Sequence, residues 1–506
     1  MQSGSRVKVV ALLLALATCA GDRIDAAGAA TGNRGDVAAS APRCDVPPGA
    51  IRIAPGTPVQ EVVDRHPPGT SFVLGRGVHL RASVSPRDGD RFFGERDADC
   101  RRLAVMRGAR RLTEFSREGA HYFAHHVSRE DEINGRCRSD APRCDRVEDL
   151  FVDDRLLRHV SRLEDVEPGK WHFDYESSRV YVAFDPTGRR VEISEARFAF
   201  ASETARNVVV EGLVIEKYAN PAQMGAVGER GPGPGWRIVD NEIRWNHGAG
   251  VTVTDGGAIR RNAIHHNGQL GATADGVGVV VEGNEIAWNN TGGTEASWEA
   301  GGAKFAETRA LTIRDNCVHH NDGPGLWVDV DARDTRFIAN TVFENEGEGI
   351  FVEISREALI RNNRVGRNGR SGRWLYGANI LISGSRDTRT IGNLVEVAPN
   401  YGHGIVVIWQ EREDAHAPRN HEIAENDVTF LGTAGRQGAA TDFDAGTAAL
   451  AASLVLRNNR YHMSDPNTAR FEWNDRVLPF SDLQTLGREM GSSADTETRP
   501  EAWRCP

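Results

Sequence analysis

The sequence lacks an excess of basic charge, and this deficit excludes a large class of partners. Its 61 Lys and Arg residues are outnumbered by 71 Asp and Glu residues, so the formal net charge is −10. A protein whose main partner is the nucleic-acid backbone is expected to carry a basic surface. We therefore expect no nucleic-acid partner for this chain.

Lysine is nearly absent. The only four lysines are Lys8, Lys170, Lys217 and Lys304, so arginine supplies the other 57 basic residues. Unlike arginine, lysine can lose its proton at accessible pH when it is desolvated or close to another cation. Each of the few lysines is therefore of interest for chemistry, and Lys304 is the last of them in the chain.

Long hydrophobic runs are missing except at the N-terminus. Two basic residues precede the apolar run Val9–Ala17, which is typical of a secretory signal at residues 1–19 rather than a membrane span. The segment ending at Cys19 also resembles a bacterial lipobox, which leaves lipidation and simple cleavage both open. Residues 20–43 predict a flexible tether. We expect a bacterial protein that is secreted or lipid-anchored at the cell surface or in the periplasm.

Cysteine is scarce, and no two cysteines have the CxxC spacing, so a zinc site is not expected. Six cysteines remain after Cys19. An even number in an oxidising compartment indicates disulfides. The most plausible pairs are Cys137 with Cys144 and Cys44 with Cys100.

A repeat dominates the second half of the chain. Six segments share the template N-x-[IV]-x-x-N, and their first asparagines lie 21 to 32 residues apart. Weaker copies begin at Asn393, Asn426 and Asn459. The six copies are NEIRWN (241–246), NAIHHN (262–267), NEIAWN (284–289), NCVHHN (316–321), NTVFEN (340–345) and NRVGRN (363–368).

A second template precedes most of these segments by about fourteen residues. It is a small residue followed by alternating apolar positions, as in GVTV (250–253), GLWV (325–328) and GIFV (349–352). Short strands with a period of two and Gly or Asn at the corners predict one coil of a parallel β-solenoid. The asparagines are expected to stack into ladders, each amide bonding to the next coil. The leucine-rich consensus of similar period is absent.

With these motifs, residues 44–490 resemble the right-handed parallel β-helix family of secreted carbohydrate-active proteins. The resemblance implies an all-β right-handed parallel β-helix with an N-terminal cap, an early β-rich insertion and a C-terminal cap. The expected segments are 44–200 for the N-terminal cap, first coils and insertion, 201–465 for the helix repeats, and 466–506 for the C-terminal cap and tail. This fold hosts several unrelated reactions.

Alignment of the Gly-led strands predicts which side chains face solvent. One outward column contains Lys304, Trp327 and Phe351, and the next contains Asp329 and Glu353, with Asp331 beyond it. Carboxylates on neighbouring coils are about 5 Å apart and need a cation, proton or metal to offset their repulsion. Aromatic side chains beside them suit stacking on sugar rings. The predicted substrate-binding residues are Trp298, Glu299, Trp327, Phe351 and His320.

The resemblance to β-helix pectate lyases implies β-elimination on a uronate-containing polysaccharide. In that interpretation Lys304 is the general base, and Asp329, Asp331 and Glu353 bind Ca²⁺. The sequence departs from the family pattern, because the lysine lies one coil before the acids and no consecutive Asp pair is present. The expected partner is an acidic polysaccharide, and the protein is expected to be a monomer.

Two alternatives remain open at this level. The first is glycoside hydrolysis with Asp329 and Glu353 as the paired carboxylates. The segment YGHG (401–404) is similar to a polygalacturonase motif, but equivalent corners carry GAG, GPG and GEG, so the repeat itself accounts for it. The second alternative is a glycan-binding surface protein without activity.

The sequence also contains two histidine pairs, His265 with His266 and His319 with His320. They occupy one repeat position two coils apart, about 10 Å if the coils stack regularly, which is too far to share a metal. We interpret them as corner residues that hydrogen-bond the asparagine ladder. His320 is expected to border the cleft.

Overall fold

The computed structural model describes residues 44–506 except 45, 127–133, 411–417, 442–449, 451, 475 and 499. The predicted signal peptide, lipobox and tether lie outside the described residues. Within the described part of the chain, no helix is long and apolar enough to cross a membrane.

The repeats form the coils of a right-handed parallel β-helix, which confirms the predicted fold. Each complete coil contributes one short strand to each of three sheets. The first sheet contains Ile51–Ile53, Ser71–Leu74, Arg91–Gly94, Val209–Glu211, Arg237–Val239, Ala258–Arg260, Val280–Glu282, Thr312–Arg314, Arg336–Ile338, Leu359–Arg361, Arg389–Ile391, His421–Ala424 and Leu454–Arg457.

The second and third sheets continue the same coils. The second contains Gly77–Leu80, Ala104–Arg107, Val214–Glu216, Glu242–Arg244, Ala263–His265, Glu285–Ala287, Cys317–His319, Thr341–Phe343, Arg364–Gly366, Leu394–Val397, Asp427–Phe430, Arg460–Met463 and Ser493–Asp495. The third contains Gly225–Val227, Ala249–Val253, Leu270–Ala274, Gly301–Ala306, Leu326–Asp329, Ile350–Glu353, Ala378–Ser383, His403–Trp409, Gln437–Thr441, Phe471–Trp473 and Arg476–Leu478.

The interior of the helix is a continuous apolar core, to which each strand contributes one or two inward positions. In the third sheet, Leu326, Ile350, Ile380 and Ile405 pair in register from coil to coil and are fully buried. The first and second sheets contribute equivalent residues such as Ile259 and Ile264. Because no single coil can bury these side chains alone, stacking of the coils supplies the core.

Two asparagine ladders run along the corners on either side of the second sheet, as predicted. The first joins Asn241 to Asn459 through side-chain amide bonds of 2.9–3.1 Å between successive coils. The second joins Asn246 to Asn379 through bonds of 2.8–3.0 Å. The ladders satisfy buried polar groups where the chain turns between sheets.

A β-rich insertion follows the strand Ala104–Arg107 and has its own core around Trp171, Phe173 and Val180. Its four-stranded sheet contains Arg155–Leu156, Leu150–Val152, Val191–Ser194 and Ala109–Leu112. Its five-stranded sheet contains Arg158–His159, Lys170–Asp174, Arg179–Val182, His121–His125 and Ser116–Glu118, and a 3₁₀ turn spans Leu163–Asp165.

Buried charges join the insertion to the β-helix. Lys217 of the helix is almost inaccessible and donates to Asp154 at 2.6 Å and to Glu192 at 2.7 Å. Arg107 bridges the same Glu192 and Glu216. Lys217, Glu192 and Glu216 are buried, whereas Asp154 is exposed, so loss of a buried member would leave an uncompensated charge.

Both ends of the helix are covered. Helix α1 (Val59–Asp64) buries Val59 and Val63 against the first coils, and α3 (Phe480–Thr485) follows the hairpin that ends the third sheet. Helix α2 (Ala296–Glu299) is a single turn before the strand of Lys304.

The C-terminal tail then runs back along the second sheet. Trp503 donates its indole N–H to the buried Glu396 at 2.8 Å, and Gly366 leaves the space that Trp503 occupies.

Three disulfides connect these parts. Cys44–Cys100 and Cys137–Cys144 confirm the two pairs expected from the sequence. The third, Cys317–Cys505, fastens the returning tail to the second sheet.

Candidate functional site

The outward columns of the third sheet have the register expected from the sequence. Lys304 pairs with Trp327 and Trp327 with Phe351, while Ala306 pairs with Asp329. These side chains therefore lie on the outer face of three consecutive coils, opposite the apolar core.

Lys304 is at the centre of this face and is enclosed by counter-charges. Its Nζ lies 2.9 Å from Asp329 Oδ2 and 3.8 Å from Glu299 Oε2. It also lies 3.9 Å from the centre of the Trp327 ring. The residue is only 7% exposed. Two carboxylates and an aromatic face thus surround the end of this side chain.

The other two predicted carboxylates have different partners. Asp331 lies in the turn after the strand, where it pairs with Arg333 and, at 3.2 Å, with Arg356. Glu353 is half-buried, and its Oε1 lies 3.4 Å from the Gln410 amide.

The contacts of Asp329, Asp331 and Glu353 do not fit the expected Ca²⁺ site. Within the described residues, the only group that brings three possible ligand atoms within 4.8 Å of one another is Cys317, His319 and Cys505, of which the cysteines are bonded to each other. Asp331 is neutralised by arginines in the turn, while Asp329 is neutralised by Lys304. Asp329, Asp331 and Glu353 therefore form no preorganised calcium site.

The predicted exposure of Trp327 and Phe351, as aromatic rings for stacking on sugars, is wrong. The two rings stack on each other at 5.3 Å, but Trp327 is 5% and Phe351 6% exposed. They form a small apolar cluster with Leu375, Leu381 and Val406. The segment between two coils that contains Leu375 folds over the outer face, which a repeat alignment does not reveal.

The expectation for His320 is also wrong. His320 stacks on Trp288 at 4.2 Å and pairs with Glu344 at 3.0 Å, at the corner after the second sheet. None of these residues belongs to the Lys304 cluster. The described contacts of the histidine pairs are with each other, with glutamates and with neighbouring rings, and not with the ladder amides. Trp298 is half-buried in α2 beside Glu299.

Two glutamines complete the cluster and were not predicted. Gln223 donates to Glu299, and its backbone N–H donates to Gln269. Gln269 in turn donates to the Glu299 carbonyl at 2.7 Å. Asn134 of the insertion donates to Gln223 at 3.1 Å. These residues lie outside the strand templates, so no repeat position marks them.

A further acidic residue of the outer face was also missed. The register places Asp275 beside Ala306, in the column of Asp329. Burial, followed by the charges of Asp255 and Glu307, raises the pKa of Asp275. Its strand, LGATA, carries alanines where other coils carry Val or Ile, so the apolar alternation that marks the template is weak there.

The comparisons with known proteins agree with the fold. The family described as a right handed beta helix region matches residues 228–395. The structure of XylC with xylose is 16% identical and covers 86% of this chain and 79% of its own, with a TM-score of 0.56. The A-module of the Azotobacter vinelandii mannuronan C-5 epimerase AlgE6 is 12% identical, with a TM-score of 0.47. The match covers 87% of this chain and 93% of the AlgE6 module.

These similarities define the class of protein and nothing finer. No curated protein sequence matches the chain. The repeat match, the coil topology and the likeness to XylC identify a right-handed parallel β-helix protein. At 16% identity this likeness establishes the fold alone.

Proposed function

We propose that this chain is an exported enzyme that cleaves a uronate-containing polysaccharide by β-elimination at the Lys304 cluster. The observation that supports the proposal is a lysine held between two carboxylates, Asp329 and Glu299, on the outer face of the third sheet. This arrangement offers a positive charge, an acid and a base within a few ångströms, which are the groups that β-elimination requires.

The first step is exchange of counter-ions. Lys304 is almost inaccessible, so the uronate has to displace the Gln223 amide from Glu299 to reach it. The sugar carboxylate then replaces Glu299 beside the Lys304 ammonium. Neutralisation of the sugar carboxylate lowers the pKa of the neighbouring C5–H.

The second step transfers two protons. Asp329 takes the C5 proton, the electron pair forms the C4–C5 double bond, and the C4–O bond breaks. The Lys304 ammonium donates a proton to the departing oxygen, so the net charge of the two groups is unchanged. The sequence hypothesis makes Lys304 the base, but because Lys304 lies between the carboxylates of Asp329 and Glu299, we assign the base role to Asp329.

Hydrolysis is the second candidate function. Asp329 and Glu353 occupy the same outward column on adjacent coils, and adjacent strands lie about 5 Å apart. That separation matches the roughly 5 Å between the carboxyl groups of retaining glycosidases. A hydrolase releases reducing ends without forming a double bond.

A substrate panel distinguishes these candidates. Purified protein is incubated with pectin, alginate and glycosaminoglycans, and both the ultraviolet absorbance of unsaturated uronides and new reducing ends are followed. The proposal expects both signals, in equal amounts, from one uronate polymer. Reducing ends without the absorbance would support hydrolysis, and neither signal would support a binding protein and reject the proposal.

A further inference from the structure

A polar cavity lies between the insertion and the β-helix, apart from the Lys304 cluster. Its volume is about 230 Å³. It is lined by Arg143, Arg158 and His159 of the insertion and by His247 of the helix. This volume is below the roughly 300 to 1,000 Å³ of sites for drug-sized ligands, so a single small unit fits.

His159 is the central residue of this cavity. It is only 9% exposed, and its ring stacks on Trp171 at 4.0 Å and 19°. Among the described residues neither of its ring nitrogens has a hydrogen-bond partner, and the same holds for Arg143 Nε. A buried polar group without a partner costs about 1–3 kcal/mol, so these atoms call for a partner that the chain does not supply.

The surroundings of His159 are positively charged. Burial, and then the charges of Arg143, His172 and His247, lower the pKa of His159 well below its usual value. Two carboxylates of this region, one of which, Asp149, also lines the cavity, are already engaged. Asp149 lies 3.2 Å from His247 Nδ1, and Glu148 accepts from Tyr175 at 3.2 Å.

One loop connects this cavity to the Lys304 cluster. In the stretch 134–144, Asn134 donates to Gln223 of that cluster, while Cys144 lines the cavity and accepts from His247 through its carbonyl at 3.1 Å. The disulfide between Cys137 and Cys144 ties the two ends of the loop together. The two sites thus lie on either side of one braced loop.

We propose that this cavity binds the carboxylate of a single uronic acid unit, as a subsite separate from the Lys304 cluster. A ring nitrogen of His159 and the Nε of Arg143, which are buried in this structure, become accessible and donate to the carboxylate. Arg158, whose side chain is 40% exposed, also lines the cavity. The identity of the anion rests on the proposed function, while the existence of an anion site rests on the cavity and its unpartnered donors.

Calorimetric titration of the full chain with glucuronate tests this proposal without turnover. Glucose, which lacks the carboxylate, and acetate, which lacks the sugar, are titrated in parallel. We expect glucuronate to bind and glucose not to bind. His159→Phe keeps a ring against Trp171 but removes the nitrogens, and we expect it to weaken glucuronate binding about ten- to one-hundred-fold. Arg162→Gln removes an exposed charge of the insertion as a matched control and should leave the affinity unchanged.

Three results would overturn the proposal: no binding of glucuronate, equal binding of glucuronate and glucose, or unchanged affinity in a folded His159→Phe. Acetate binding as tight as that of glucuronate would show an anion site that does not recognise the sugar, which also rejects a uronate subsite. If His159→Phe does not fold, Arg143→Gln replaces it. His159-dependent binding in a protein that cleaves no polymer would reject the proposed function and keep the subsite. Cleavage of a polymer without glucuronate binding would support the proposed function and reject the subsite.

Discussion

At the scale of single residues, Lys304 owes its chemistry to its neighbours. Its rarity in an arginine-rich chain singles it out, but only the structure shows its contacts with Asp329, Glu299 and Trp327. In the proposed reaction the residue neutralises a sugar carboxylate and donates a proton. The same change of role makes Asp329 the candidate base.

We expect Lys304→Arg to lower turnover by about 10²–10⁴-fold, because arginine keeps the charge but cannot release a proton. KM should change little, since the positive charge that attracts the substrate remains. Initial rates on the polymer cleaved by the wild type measure both parameters. Lys170→Arg makes the same change at an exposed ion pair with Glu167 and serves as the control. Wild-type turnover in a folded Lys304→Arg would contradict the proton-donor role.

Because of the buried His421, we expect the protein to lose stability in acid. Burial lowers the pKa of His421 from 6.5 to about 4, and its Nδ1 lies 2.7 Å from the Thr388 hydroxyl. The unfolded state binds a proton at higher pH than the folded state. The contribution of the neutral His421 to the free energy of unfolding is therefore complete above pH 6.5 and is lost as the pH falls towards 4. It amounts to about 3 kcal/mol.

Urea unfolding of the wild type and His421→Gln at pH 7 and pH 4.5 measures this contribution. Glutamine does not titrate, so the variant should lose less free energy of unfolding than the wild type between the two pH values. An equal loss in both proteins would contradict the assignment.

At the scale of elements, the asparagine ladders determine how one coil connects to the next. Asn316 donates to Asn340 at 2.9 Å and to the Val281 carbonyl at 3.0 Å, and it accepts from Asn284. Each ladder residue therefore satisfies groups on both neighbouring coils. The first ladder ends where Asn459 donates to Glu489, whose pKa is raised by burial.

We expect Asn316→Asp to reduce the free energy of unfolding by about 3 kcal/mol or more. The carboxylate has nearly the same shape as the amide but cannot donate, so the Asn340 and Val281 oxygens lose a side-chain N–H in a buried site and the carboxylate faces Asn340 Oδ1, which keeps the backbone N–H of residue 316. Chemical denaturation at neutral pH measures the loss. Asn400→Asp, at an exposed position, should change stability by less than about 0.5 kcal/mol. Similar effects of the two substitutions would contradict the stabilising role of the ladder.

At the scale of the whole molecule, segments outside the repeats cover the helix and close the candidate sites. The insertion contributes Asn134 and the His159 cavity, and the segment around Leu375 covers Trp327. The tail returns over the second sheet, where Glu501 and Trp503 contact Glu396. Two of the three disulfides lie in or at these added segments, Cys137–Cys144 in the insertion and Cys317–Cys505 at the tail, while Cys44–Cys100 lies at the first coils.

The Cys317–Cys505 disulfide is expected to stabilise the chain more than Cys137–Cys144. The two bonds close loops with sequence separations of 188 and 7 residues. Loss of chain entropy in the unfolded state then corresponds to about 5 and about 2.5 kcal/mol, respectively. Paired Cys→Ser variants of each disulfide, compared by chemical denaturation, test the order. A smaller effect for the longer loop would show that the tail contributes little to global stability.

The accuracy of the sequence predictions follows the distinction between repeated and unrepeated segments. The columns of Lys304, Trp327 and Asp329 were placed correctly because register follows from the alternation within each strand. The exposure of Trp327 was predicted wrongly because it depends on Leu375, which no template contains. Gln223, Gln269 and Asn134 were missed for the same reason.

The sequence by itself therefore determined the coil, the core positions, the asparagine ladders and the face on which Lys304 lies. Each of these depends on local pairing that occurs in every repeat. The tertiary structure alone decided which outward residues stay accessible, which carboxylates Lys304 meets, and how the insertion and the tail close over the sheets. Those features arise from contacts between segments far apart in the chain and present only once, for which the local pattern carries no signal.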